Sequence, residues 1–281
     1  MKCTILADNN CYIDQYYFAE PGASYSIEAD GYNLLFDTGY SNVFMKNGLK
    51  LGVDFSTIDF VVLSHGHDDH TGGLKSLVSY FKRQGRRTPP LNPPRLLAHP
   101  DAFRYKEGFK GDPQGKELHR ANLNEYFDIQ LLKNPYYISE NLVYLGEIPR
   151  INNYENQKPF GKMRTEYGFT DDYMMDDTAI VYRSKVGLVI ITGCSHSGIN
   201  NIVSAAKSHF PGDPIKCVLG GFHLLNPSAE LLHKTLQSLK QENIDEVYAG
   251  HCTDLQSKIF LSKALNIKEM GVGLTLEFPD Y

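Results

Sequence analysis

At 281 residues the chain is long enough for one large α/β domain or two ordinary ones, and 42% hydrophobic with 22% charged residues excludes a disordered or fibrous protein. A formal net charge of −5 gives no general attraction to nucleic acid or to an anionic membrane, so neither is expected as a partner. The five cysteines, at 3, 11, 194, 217 and 252, are an odd count without a C-x-x-C pair, unlike a secreted disulfide framework; reduced thiols are expected.

The apolar start at residues 1–8 is too short for a signal peptide, and no stretch approaches a membrane span, which together predict a cytoplasmic protein. Short β-rich runs follow at residues 3–7 and 25–27. Asp30-Gly31 supplies a hairpin turn into the strand 32–36, whose end carries Asp37-Thr38-Gly39. A short helix is predicted over 41–49. The continuous apolar run Phe60-Val61-Val62-Leu63 suits a strand buried on both faces, and it delivers the chain into Ser64-His65. Leu74, Leu77, Val78 and Phe81 have helical spacing, and Pro89-Pro90 ends that element. The basic run from Lys82 to Arg87 reads as a solvated helix end. The whole chain, 1–281, reads as a single domain with an insertion or lid at about 103–175, where the pattern turns irregular and rich in Gly, Pro, Asn and aromatics. Those aromatics build either a satellite core or a stacking surface over a substrate. Beyond it come strands at 178–182 and 187–192, a helix at 199–210, a strand at 215–219, a helix at 228–239, a strand at 246–249, a helix at 255–265 and a last strand at 273–278.

Chemistry concentrates at one turn. His65, His67, Asp69 and His70 place three imidazoles and a carboxylate within six residues, and polar groups packed that tightly need partners that metal ligation would satisfy together. Imidazole with carboxylate suits zinc, manganese or iron. Four ligands cannot complete two coordination shells, so further donors are expected at later strand ends. Three histidines stand at such addresses: His196 in Gly193-Cys194-Ser195-His196, His223 in Gly221-Phe222-His223, and His251 in Gly250-His251-Cys252-Thr253. His99, His119, His209 and His233 lack that placement and receive no role.

The segment Leu63-Ser64-His65-Gly66-His67-Asp68-Asp69-His70-Thr71-Gly72-Gly73 resembles the H-x-H-x-D-H signature of the metallo-β-lactamase superfamily. The likeness spans nearly the whole chain, since Asp37 matches the upstream acidic motif and Gly250-His251-Cys252-Thr253 the last histidine motif. Residues 191–199 and 220–224 are similar to the branch of dihydropterin-ribofuranosylaminobenzene phosphate synthases and related metal-dependent hydrolases. The resemblance implies an α/β fold, an αββα sandwich with a dinuclear site at its edge. It also implies two divalent ions, zinc first, with manganese, iron or magnesium as alternatives. His65, His67 and His196 would bind one ion and Asp69, His70 and His251 the other, with Asp37 orienting a ligand histidine. The chain departs from the common pattern in having Asp176-Asp177 before one strand and Cys194-Ser195-His196 after the next. Cys194 therefore stands near the usual bridging aspartate, as a thiolate ligand or as a small buried cysteine. The implied function is hydrolysis of a phosphoester or related ester by a metal-activated hydroxide, with Asp69 as proton shuttle and His223 contacting a phosphate or protonating a leaving group. Two alternatives stand beside it: transfer of a pterin-methyl diphosphate onto an arylamine ribofuranoside phosphate, and a di-iron redox or sensing role. The partner expected is a small, phosphorylated molecule, and self-association into a homo-oligomer stays open.

Overall fold

The computed structural model describes residues 1–83 and 93–281. The Pro89-Pro90 helix stop and the basic run beyond Arg83 lie outside the described residues. Two sheets face each other. The first has seven strands in the order Thr275–Glu277, Lys2–Ala7, Ser24–Ala29, Tyr32–Phe36, Phe60–Val62, Arg95–Ala98 and Asp128–Leu131. It is antiparallel up to Tyr32–Phe36 and parallel beyond. The second has six, in the order Glu246–Gly250, Ile215–Gly221, Gly187–Thr192, Ala179–Ser184, Leu142–Tyr144 and Tyr136–Tyr137, parallel across its first three.

Side-chain alternation assigns each strand face to a layer. Ile180, Tyr182, Val189 and Ile191 point into the core between the sheets, where they meet Tyr25, Phe36, Val62 and Leu97. Their neighbours Ala179, Val181, Leu188 and Ile190 point outward, under Ile199, Ile202, Val203 and Ala206 of the helix Ile199–His209. On the far side Leu35, Val61 and Leu96 pack against Phe44 and Met45 of Val43–Lys50 and Leu74, Leu77 and Phe81 of Leu74–Arg83. The result is the four-layer αββα sandwich. Asp30 (φ 49°) and Gly31 (φ 81°) make the two-residue turn that pairs Ala29 with Tyr32, the left-handed pair such a hairpin requires.

The stretch 103–175 divides its strands among three sheets. Asp128–Leu131 joins the first sheet and Leu142–Tyr144 the second, while Lys106–Glu107, Pro113–Gly115, Gly161–Thr165 and Gly168–Asp172 form a separate four-stranded sheet. Strands of two to five residues are too short to print a period, which is why this region reads as irregular. The helix Leu255–Leu261 stops four residues before its predicted end, although Leu265 stays buried against the same core. Among the described residues no helix is long and apolar enough to cross a membrane. All five cysteines are free.

Candidate metal centre

Strands that run in the same direction bring their C-terminal ends to one edge of the sandwich. Ala7 leads into Asp8, Phe36 into Asp37, and Val62 into the loop His65–His70; from the second sheet, Thr192 leads to Cys194 and His196, Gly221 to His223, and Gly250 to His251. Asp37 (φ 58°), Ser195 (φ 59°), His223 (φ 49°) and His251 (φ 47°) all hold left-handed backbone there. Each such non-glycine residue costs of order 1 kcal/mol, so the surrounding contacts must over-determine the conformation. Gly66 sits between the first two histidines because a Cβ there would come within 2.7 Å of the Ala102 carbonyl oxygen.

Four candidate donors converge in one group. His70 Nε2 lies 3.2 Å from His251 Nε2 and 3.2 Å from Cys194 Sγ, and His251 Nε2 lies 3.1 Å from the same sulfur. Asp69 Oδ2 stands 3.6 Å from His70 Nε2 and 3.4 Å from His251 Nε2. Donors at about 2.1 Å from a tetrahedral zinc stand about 3.4 Å apart, so these separations are those of ligands around one small cation. Two imidazole nitrogens facing each other at 3.2 Å need a shared proton or a cation between them.

A second group forms around His65, His67 and His196, whose ring centroids make a nearly equilateral triangle with sides of 4.7, 4.8 and 4.8 Å. His65 Nε2 and both ring nitrogens of His196 are buried without a hydrogen-bond partner. Leaving such groups unsatisfied costs about 1–3 kcal/mol each, whereas coordination would satisfy a nitrogen of each ring. The Cys194 sulfur lies within 4.8 Å of the donors of Asp69, His70 and His251 on one side and of those of His65 and His196 on the other. Residues of this chain therefore fit two cations sharing one sulfur.

Electrostatics separates the groups. Burial first, and neighbouring imidazoles second, hold His65 and His196 well below the usual histidine range, and burial takes His67 to about 4. These rings are neutral lone-pair donors at neutral pH. His70 goes the other way: burial lowers it, but Asp69 and Asp37 raise it to about 9. Its Nδ1 donates to Asp37 Oδ2 at 2.6 Å, and Asp37 also accepts from the Ser64 N–H at 2.7 Å. That bond aims Nε2 at the donor group. His251 is held by Asp8, which accepts its N–H at 2.9 Å, and by Asn9 Oδ1, 3.1 Å from Nδ1.

A cavity of about 720 Å³ opens over these groups, lined by Asn9, Tyr40, Asp69, Phe160, His223 and Cys252 among others. Among the described residues no lysine or arginine lines it. Phe160 packs edge-on against His196 (4.7 Å) and His223 (5.0 Å). His223 joins neither of the two groups above. Its N–H donates to Cys252 Sγ at 3.2 Å, and its Nδ1 is buried without a partner.

All of the residues singled out from the sequence thus lie at one edge. Asp8, Asn9, Phe160 and Cys252 lie there as well, and Asp176-Asp177, marked in the sequence only as a departure from the common pattern, lies beside them. Asp8 follows a strand just as Asp37 does, an address that marks it; nothing local marks Phe160, and nothing local says which backbone Asp176 and Asp177 hold. Of the unassigned histidines, His99 is buried and bound to Glu147 at 2.8 Å, and His209 meets the Tyr137 hydroxyl at 3.0 Å.

Residues 17–251 match the sequence profile of the metallo-beta-lactamase superfamily. The uncharacterised protein MJ0448 of Methanocaldococcus jannaschii is 31% identical over 96% of this chain and 97% of its own. From the same organism, the 7,8-dihydropterin-6-methyl-4-(β-D-ribofuranosyl)-aminobenzene-5′-phosphate synthase is 28% identical over 92% of this chain and 89% of its own. Among solved structures, Tm1679, a metal-dependent hydrolase of the β-lactamase superfamily, superposes with a TM-score of 0.82 at 29% identity, covering 100% of both chains.

Proposed function

Because the chain belongs to the metallo-β-lactamase superfamily, we propose that it is a dinuclear metal-dependent hydrolase cleaving a phosphoester or related ester of a small molecule. The observation that carries this reading is the meeting of two donor groups at the Cys194 sulfur, with separations suited to cations. His65, His67 and His196 would hold one divalent ion, and Asp69, His70 and His251 the other; imidazole with carboxylate and thiolate favours zinc over magnesium. Bound there, such ions would supply Lewis-acid polarisation of an ester oxygen and lower the proton affinity of a nearby water.

The chain's own residues do the rest. Asp69 is a third exposed toward the cavity, so its carboxylate can take a proton from an attacking water. His223 is lowered by burial yet raised overall by Cys252, which keeps a proton available for a leaving oxygen at the cavity wall. Asp37 keeps the His70 ring in one tautomer. Phe160, Pro113 and Gln114 bring the 103–175 segment over the cavity as a lid that limits water.

The test is turnover of bis-p-nitrophenyl phosphate that vanishes on chelation and in His67→Ala. Full activity in that variant defeats the mechanism. A transferase reading has support of its own: the synthase relative aligns over nearly the whole chain, and a cavity lined by Tyr40, Phe160 and Leu225 suits a flat heterocycle. Incubation with the pterin-methyl diphosphate and the arylamine riboside phosphate, with metal present, decides it by whether the coupled product forms. Elemental analysis separates both from a di-iron redox role, which requires iron.

A further inference from the structure

Asp176 and Asp177 lie outside both donor groups, yet they touch the backbone around all three histidines of one group. Asp176 Oδ2 accepts the Gly66 N–H at 2.8 Å, between His65 and His67. Asp177 Oδ2 accepts the Ser197 N–H at 2.8 Å, one residue past His196, together with the Ser197 hydroxyl. Thr178 completes the strap by donating its N–H to Ser64 O at 2.9 Å.

The strap is anchored from the small sheet. Lys106 Nζ lies 3.1 Å from Asp176 Oδ1 and 2.7 Å from Asp172 Oδ2, with the lysine and both carboxylates at most 5% exposed. Removing Lys106 would leave two carboxylates facing each other out of water, whereas neutralising Asp176 leaves a balanced Lys106–Asp172 pair and loosens only the hold on Gly66. The four-stranded sheet is therefore committed to the position of Gly66. Lys106, Asp176 and Asp177 make no direct bond to the other group, whose histidines are held by Asp37, Asp8 and Asn9; the two halves meet at Ser64, whose hydroxyl donates to Asp37 and lies 2.9 Å from His65 Nδ1 and 3.4 Å from His70 Nδ1.

We infer that Lys106, Asp176 and Asp177 form a positioning clamp whose direct bonds reach only the backbone of the His65, His67 and His196 half of the centre, so that losing the clamp weakens this half's ion more than the other's. The inference rests on the two-ion reading proposed above. A clamp that merely supported the fold would weaken both halves together.

The experiment titrates full-length, metal-stripped protein with zinc by calorimetry, following ¹⁵N-labelled histidine rings by NMR. Wild type is expected to take two ions, with the rings of His65, His67, His70, His196 and His251 all responding. In Asp176→Asn, affinity for one ion is expected to fall by about ten- to a hundredfold, the range for losing an outer partner of a metal ligand. The rings of His65, His67 and His196 should then lag while His70 and His251 respond as before. Asp8→Asn should give the mirror result, with His251 and His70 lagging. Should Asp176→Asn not fold, Asp177→Asn carries the same expectation through Ser197. Two ions in wild type with equal loss of both, or of neither, in the clamp variant overturns the clamp alone. No uptake by wild type overturns the two-ion reading and the clamp with it.

Discussion

The two edges that meet at the site are built on different plans. The first sheet supplies four candidate donors from one loop, His65 to His70, set by a single turn of helix, Asp68–Thr71. The second supplies Cys194, His196, His223 and His251 from three loops, with Cys194 and His251 separated by 57 residues. In the first edge local backbone geometry fixes the donors relative to one another. In the second it is strand register: Thr192 pairs with Gly220, and Gly221 with Gly250, so three chain ends arrive level. A compact motif can survive changes elsewhere in the fold, whereas a dispersed one is only as accurate as the sheet beneath it.

Cys194 is where the two plans join, since its sulfur approaches His70 and His251 and belongs to the His65 and His196 group as well. Removing it gives the largest expected effect. Cys194→Ala should lower kcat/KM for bis-p-nitrophenyl phosphate by about a hundredfold, the upper range for disturbing a metal site. Cys194→Asp, which restores an anionic donor, should recover activity to within about tenfold of wild type. Unchanged kinetics in Cys194→Ala would mean that the halves do not share a ligand and that the cysteine is only packing.

The same contrast decides what could be read from the sequence. The loop at 65–70 is legible because its donors are neighbours in the chain, and packing offers no reason to gather three imidazoles and a carboxylate there. His196, His223 and His251 become legible only after their strands are recognised, because the shared feature is an address and not a spacing. The apolar runs at 60–63 and 187–192 are legible as strands, whereas the αββα sandwich is legible only through the family resemblance; the faces that split Ile180 from Val181 and Ile190 from Ile191 are assigned by the folded layers. Asp176 reaches Gly66 across 110 residues, and Lys106 is an ordinary lysine until the small sheet closes around it. Such residues earn their roles from tertiary contacts that no local window contains.

A smaller effect tests whether the compact edge needs outside support. Asp37 comes from a neighbouring strand and holds His70 through one bond at 2.6 Å. Asp37→Asn replaces the charged acceptor with a neutral one of the same size. It should weaken the ion held by Asp69, His70 and His251 by about tenfold, measured by zinc competition with a chromogenic chelator. The shift should exceed any change in the other ion. Equal weakening of both would show that the first edge is less self-contained than its single loop suggests.

The smallest effect concerns the lid side of the cavity, where Phe160 touches one ring from each role, His196 of the donor group and His223 of the cavity wall. Edge-to-face aromatic contacts contribute about 0.5–1.5 kcal/mol beyond the area they bury, which corresponds to about two- to tenfold in a binding constant. If Phe160 acts as substrate surface, Phe160→Leu should raise KM for an aryl phosphodiester within that range and leave kcat alone. An alkyl phosphodiester, which cannot stack, should be indifferent to the change. If instead Phe160 acts by holding the two imidazoles in place, kcat should fall for both substrates while KM stays put. The split between KM and kcat thus tells whether the 103–175 segment contributes to recognition or to the geometry of the second edge.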